Sequence, residues 1–157
     1  MKKGVRTIVR SEWQETTDKP CDTGTPISIM AKEWPQFDWS EVDPEYPSKT
    51  GIFEFSRPAI TQRGIKAKEW LRNRPEKVIA VVSHCGFLRA GVSYKNYENA
   101  DFRVFDFAEG HEEIGGNLVE WKLTEQRGGG MGKSPEQNAL VIWPKHYPLK
   151  SMTNGSF

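Results

Sequence analysis

The alternation of apolar and polar positions divides the chain into a short strand, a long irregular stretch, a helix followed at once by a strand, and a tail of short strands and glycine. Residues 4–10 read as a strand, with Val5, Thr7 and Val9 on one side and Arg6, Ile8 and Arg10 on the other. Residues 11–55 are proline-rich and keep no period, which predicts loop with one or two short helical turns. The clearest helix begins at Ser56 as its cap, carries Pro58 in its first turn, sets Ile60, Gly64, Ala67 and Leu71 on one face, and is stopped by Pro75. Residues 77–83 then run continuously apolar and β-branched from Val78 to Val82, the pattern of a strand buried on both faces of a parallel sheet. Helix then buried strand is an α/β signature. A short helix is expected over residues 87–92, strands over 102–107 and 118–124, a flexible loop over 128–132, and a last edge strand or extended tail over 139–143.

Composition narrows the class. The 157 residues are 36% hydrophobic and 27% charged with six Trp, which predicts one globular domain over residues 1–157. A net charge of +1 lacks the basic excess of a nucleic-acid binder. No apolar run is long enough to span a membrane and the basic start leads into no signal-like stretch, so a soluble, cytoplasmic protein without membrane contact is expected. Two cysteines, Cys21 and Cys85, suit a reducing compartment, and Asn154 carries no weight as a glycosylation acceptor without a secretion signal.

Several short motifs lose to plainer readings. Gly132-Lys133-Ser134 behind a glycine run is reminiscent of a phosphate loop, but position 127 is Arg127 and no buried strand precedes it. Asp22-Thr23-Gly24 matches the aspartic-protease triplet without the all-β context, so a turn or cap is expected there. The histidines and cysteines show no zinc spacing, and neither metal nor cofactor is expected. Cys85 reads better as a small hydrophobe than as a nucleophile. The aromatic and acidic stretch over residues 33–47 suits core packing under a long loop and a binding lid equally. His84 is the strongest single candidate: the pattern sets it at the carboxyl end of a strand and the start of a helix, where open α/β sheets hold ligands.

Val78 to Arg89, through Ser83-His84-Cys85-Gly86, resembles the second histidine motif of the histidine phosphatase superfamily, the phosphoglycerate mutase-like proteins. Trp13-Gln14-Glu15 with Pro20-Cys21-Asp22-Thr23-Gly24, then Asp43-Pro44-Glu45-Tyr46-Pro47, Lys49-Thr50-Gly51 and residues 99–106 extend the likeness to the fungal-type branch over residues 5–125, leaving 126–157 as loop and C-terminal extension. The resemblance implies a three-layer α/β fold with a mostly parallel central sheet. It implies a nucleophilic histidine in an Arg-His-Gly motif, two arginines and the second histidine holding the phosphoryl group, and an acid protonating the leaving group. Carried onto this chain, the second histidine is His84 and the acid is Glu15, with Glu12, Asp22 and Asp43 as alternatives for the carboxylate facing His84. Arg-His-Gly does not occur in these residues, so the expectation is an N-terminally truncated family domain without phosphatase or mutase activity. A family sheet lacking its first strand would leave the strand at residues 79–82 unpaired, which predicts a homodimer, with residues 5–10 of one protomer supplying contacts to the other.

The expected function is acid/base chemistry on a small carboxylate or ester, with lactonisation of a polyketide-type intermediate in secondary metabolism as its specific form. His84 and Glu15 would be catalytic. Trp13, Cys85, Gly86, Asp22, Asp43 and Tyr46 would bind substrate, with Trp34, Phe37 and Trp39 as further stacking candidates. The alternative is a noncatalytic pseudophosphatase that binds a ligand or protein partner.

Overall fold

The computed structural model describes residues 4–109 and 116–134. The expected elements at residues 139–143, with His111 and His146, lie outside them. The fold is a mixed arrangement of helices, extended segments and one small sheet.

Residues 11–55 form short helical turns in a long loop, as the lack of period predicts: 3-10 turns at Ser11–Trp13, Pro20–Asp22 and Gly51–Phe53, and helix α1 at Ile27–Glu33. Helix α2 spans Arg57–Arg72. The Ser56 hydroxyl accepts from the Ala59 amide at 3.4 Å, capping it as expected. Its buried face is Ala59, Ile60, Arg63, Gly64, Ala67 and Lys68, pairs of positions recurring every four residues. Helix α3, Cys85–Phe87, continues into a wider π turn at Leu88–Val92. Gly64 and Gly91 allow α2 and this turn to touch backbone to backbone: a Cβ at Gly64 would overlap the Gly91 carbonyl. The core is Ile60, Ala67, Phe87, Ala90 and Val92, with Trp13, Phe55, Leu88 and Leu118 against it. Full burial of Ile60 and Phe87 contributes roughly 1.5–3 kcal/mol each.

Strands β1, Phe105–Phe107, and β2, Leu118–Glu120, pair antiparallel with Asp106 opposite Val119. Both fall within the expected strands at 102–107 and 118–124, but β2 ends early because Lys122–Glu125 turns into helix α4. Glu120 is buried between Arg103 at 2.6 Å and Lys95 at 3.3 Å, so its charge is compensated where β2 meets the body.

Three sequence expectations are corrected. The parallel central sheet of a three-layer fold is absent among the described residues, whose one sheet is two-stranded and antiparallel. Residues 77–83 carry no regular secondary structure and pair with no strand, and Val78 and Val82 are 89% and 91% exposed rather than buried. A strand is completed by backbone pairing with a neighbour, and among the described residues no backbone hydrogen bond joins this segment to another. The expected strand at 4–10 is reduced to one parallel bridge between Ile8 and Asp38, while Arg10 pairs with Glu12 and Glu41 instead.

Candidate active site

Glu15 follows the Ser11–Trp13 turn and His84 immediately precedes helix α3, 69 positions later in sequence. A side-chain to backbone bond draws these stretches together: Ser83 Oγ donates to the Trp13 carbonyl at 2.8 Å. Lys49 Nζ donates to the Glu15 carbonyl at 2.8 Å and ties Glu15 to the loop before α2. Trp13 also meets Phe87 edge-on with ring centroids 6.0 Å apart, which ties the turn to the core just beyond His84.

Glu15 Oε2 then stands 3.9 Å from His84 Nδ1, an ion-pair separation wider than a hydrogen bond. The Glu15 side chain is mostly buried at 18% exposure, whereas His84 is 57% exposed. Its other oxygen, Oε1, accepts from the Thr16 amide at 2.7 Å and hydroxyl at 3.2 Å. Gly86 makes room for this carboxylate: a Cβ there would overlap Glu15 Oε1. Burial, and then the positive Arg63, lower the Lys49 ammonium to about 8.

The pair opens onto a cleft of about 390 Å³. Its lining mixes apolar residues such as Ile8, Met30 and Val82 with the polar Asp22, Tyr46 and His84. Burial raises the Tyr46 phenol above its ordinary value, keeping it a hydroxyl. The Thr17 hydroxyl donates to Asp22 and holds its carboxyl low. The Thr23 hydroxyl donates to the Lys19 carbonyl at 3.0 Å, so the Asp22-Thr23-Gly24 triplet is the turn that its context predicts.

Of the residues singled out in the sequence, the cleft gathers Trp13, Glu15, Asp22, Tyr46 and His84. Cys85, Gly86 and Asp43 are not in its lining: Gly86 packs behind Glu15, Cys85 is exposed, and the Asp43 carboxylate accepts from the Glu45 amide at 2.9 Å in its own turn. Glu12 is taken by Arg10 at 2.6 Å. Among the aromatic candidates Trp39 joins the lining, whereas Trp34 and Phe37 stack on each other with centroids 6.3 Å apart. Sequence reasoning missed Gln14 and Lys49 as site residues, although both stand inside the quoted motifs, because only their neighbours carried an assigned role.

No family model and no solved structure matches the chain. Curated proteins do. Phosphoglycerate mutase-like protein 2 of Arabidopsis thaliana is 41% identical over 71 residues, 44% of this chain and 20% of the relative. A probable phosphatase of Schizosaccharomyces pombe is 32% identical over 73 residues, 45% of this chain and 34% of the relative. These matches, with a second Arabidopsis thaliana phosphoglycerate mutase-like protein at 35% identity over 78 residues, support the histidine phosphatase superfamily. The chain spans about a third or less of the length of the relatives it matches. The mixed helix and strand fold is compatible with a phosphoglycerate mutase-like α/β protein. No helix among the described residues is long and apolar enough to cross a membrane.

Proposed function

We propose that this histidine phosphatase-like chain uses Glu15 and His84 for acid/base chemistry on a small organic acid or ester, without phosphatase or mutase turnover. The observation that carries the reading is the Glu15 carboxyl 3.9 Å from His84 Nδ1 in the lining of a cleft that also contains apolar and aromatic side chains. A cleft of about 390 Å³ has the volume of a small-molecule site. His84 is the one histidine in its lining among the described residues, and a phosphohistidine route needs a nucleophile besides the histidine that holds the phosphoryl group.

The specific form proposed is lactonisation of a polyketide-type hydroxy acid. A substrate hydroxyl or enol oxygen attacks the carboxyl carbon and gives its proton to His84. A proton passes from the Glu15 carboxyl to the departing hydroxyl, which leaves as water. One C–O bond forms and one breaks, and a proton returned from His84 to Glu15 resets the pair. Trp13, Trp39 and Tyr46 supply stacking area for a flat unsaturated chain. The bare apolar faces of Val78 and Val82 support a homodimer in which a second copy covers them.

The test incubates a linear unsaturated hydroxy acid with wild type, His84→Ala and Glu15→Gln. Each substitution is expected to slow ring closure by about 10²–10⁴-fold, with no phosphate released from aryl phosphates by any of the three. Equal product from all three removes the mechanism. The exposed imidazole, 57% open to solvent, is the observation behind a second reading, a noncatalytic pseudophosphatase; it predicts ligand binding that survives both substitutions.

A further inference from the structure

We propose that Gly24 is a specificity-determining residue of the cleft: its bare Cα seats the Tyr46 hydroxyl in the cleft wall, where that hydroxyl donates to the carbonyl oxygen of a bound acid or ester. This rests on the reading of the cleft as a site for a small organic acid or ester.

Gly24 and Tyr46 both line the cleft. A Cβ at Gly24 would overlap the Tyr46 hydroxyl oxygen and the ring carbon Cζ that carries it, so the phenol end of Tyr46 rests directly on the Gly24 Cα. Each partner is fixed from its own side. The turn before Gly24 is held by the Thr23 hydroxyl on the Lys19 carbonyl at 3.0 Å and by Thr17 on Asp22, and the Tyr46 amide donates to the Asp43 carbonyl at 2.9 Å.

The backbone supplies no other reason for glycine at 24. Its φ lies outside the left-handed region, whereas Gly51 adopts φ +56 and has open space where a Cβ would stand. At position 51 the glycine serves conformation, and at 24 it serves contact.

The seated hydroxyl is the right kind of group for a carbonyl. Among the described residues no hydrogen bond ties it, and its oxygen is not withdrawn from solvent as the Gln14 carboxamide atoms are. Burial keeps the phenol protonated, so it offers an O–H donor. The Glu15 and Asp22 carboxylates in the same lining accept and cannot serve a carbonyl oxygen. Two other donors of the lining are already spent, the Thr23 hydroxyl on the Lys19 carbonyl and Trp39 Nε1 on the Trp34 carbonyl. A side chain at 24 would push the phenol off its seat and take this donor from the wall.

The probes are methyl cinnamate, a flat unsaturated ester, and trans-β-methylstyrene, the same flat chain without the carbonyl; binding is followed by calorimetry and folding by melting temperature. Wild type is expected to bind the ester more tightly than the hydrocarbon. Tyr46→Phe is expected to weaken the ester about three- to tenfold and leave the hydrocarbon unchanged. Gly24→Ala is expected to weaken the ester at least as much, and adding Tyr46→Phe to it costs nothing further, because the hydroxyl has already left. Any melting temperature that Gly24→Ala loses is expected to return in the Tyr46→Ala background, where the new methyl meets no ring. No ester binding by wild type, ester affinity unchanged in either single variant, additive losses in the double variant, or a melting loss that persists without the ring each overturns the proposal. Equal turnover from wild type, His84→Ala and Glu15→Gln, with the Gly24 and Tyr46 losses intact, removes the acid/base reading and leaves this one standing.

Discussion

Asp101 is the carboxylate whose removal should have the most legible effect. Its Oδ1 accepts from the Phe102 and Met131 amides, both at 2.8 Å. Its Oδ2 accepts from the Lys133 amide at 3.2 Å, the Ser134 amide at 3.0 Å and the Ser134 hydroxyl at 2.7 Å. Desolvation pushes this carboxyl up, but the Ser134 hydroxyl and the amides outweigh it and hold it well below the carboxylate range. In Asp101→Asn the Oδ1 bonds survive, while an NH₂ group faces three donors. Three bonds at about 0.5–1.5 kcal/mol each, discounted for the solvent access of a surface loop, give a loss of about 2 kcal/mol. The assay is amide hydrogen exchange at pH 7 over residues 130–134, where that loss accelerates exchange by about 30-fold. Because the folded carboxyl is depressed, the stabilisation is present above the ordinary value of 3.8 and decays as pH falls below it. Exchange in Asp101→Asn equal to wild type at pH 7, or wild-type protection of these amides independent of pH down to full protonation, would refute the reasoning.

Two further outcomes follow from packing and burial. Gly64→Ala adds a good helix former to α2 yet drives a Cβ into the Gly91 backbone carbonyl, so a net loss of about 2–3 kcal/mol is expected in urea unfolding; an unchanged midpoint would show that the two backbones separate freely. Lys49, lowered to about 8 from 10.5, binds fewer protons folded than unfolded between those values, so wild-type stability should gain with rising pH across that window, and Lys49→Met should flatten the gain. An identical pH profile for the two proteins would contradict the burial of this ammonium.

Helix α2 was legible because everything that makes it is local: Ser56 caps it, Pro58 suits its first turn, and an apolar stripe recurs every four residues. The fate of residues 77–83 was not legible: their β-branched side chains favour a strand, but pairing needs a second segment that residues 77–83 do not encode, and they form no strand. The glycine run was read as a flexible loop, yet its neighbours Met131, Lys133 and Ser134 close on Asp101, 33 positions before Ser134. Gly129, at φ +89, leaves space for that carboxylate that a Cβ would fill.

The candidate site divides the same way. Glu15 and His84 were named from their motifs, residue by residue, and the turn at Asp22 from its context. That Glu15 rather than Glu12, Asp22 or Asp43 comes within ion-pair reach of His84, and that Gly86 serves the carboxylate and not the cleft, were decided by tertiary structure alone. The amino-acid sequence by itself determined which segments turn, coil or extend, because those preferences act over a few neighbouring residues. Which side chains meet across the 69 positions from Glu15 to His84 depends on the Ser83–Trp13 bond and the packing of Trp13 on Phe87, contacts that exist only once the chain has closed on itself.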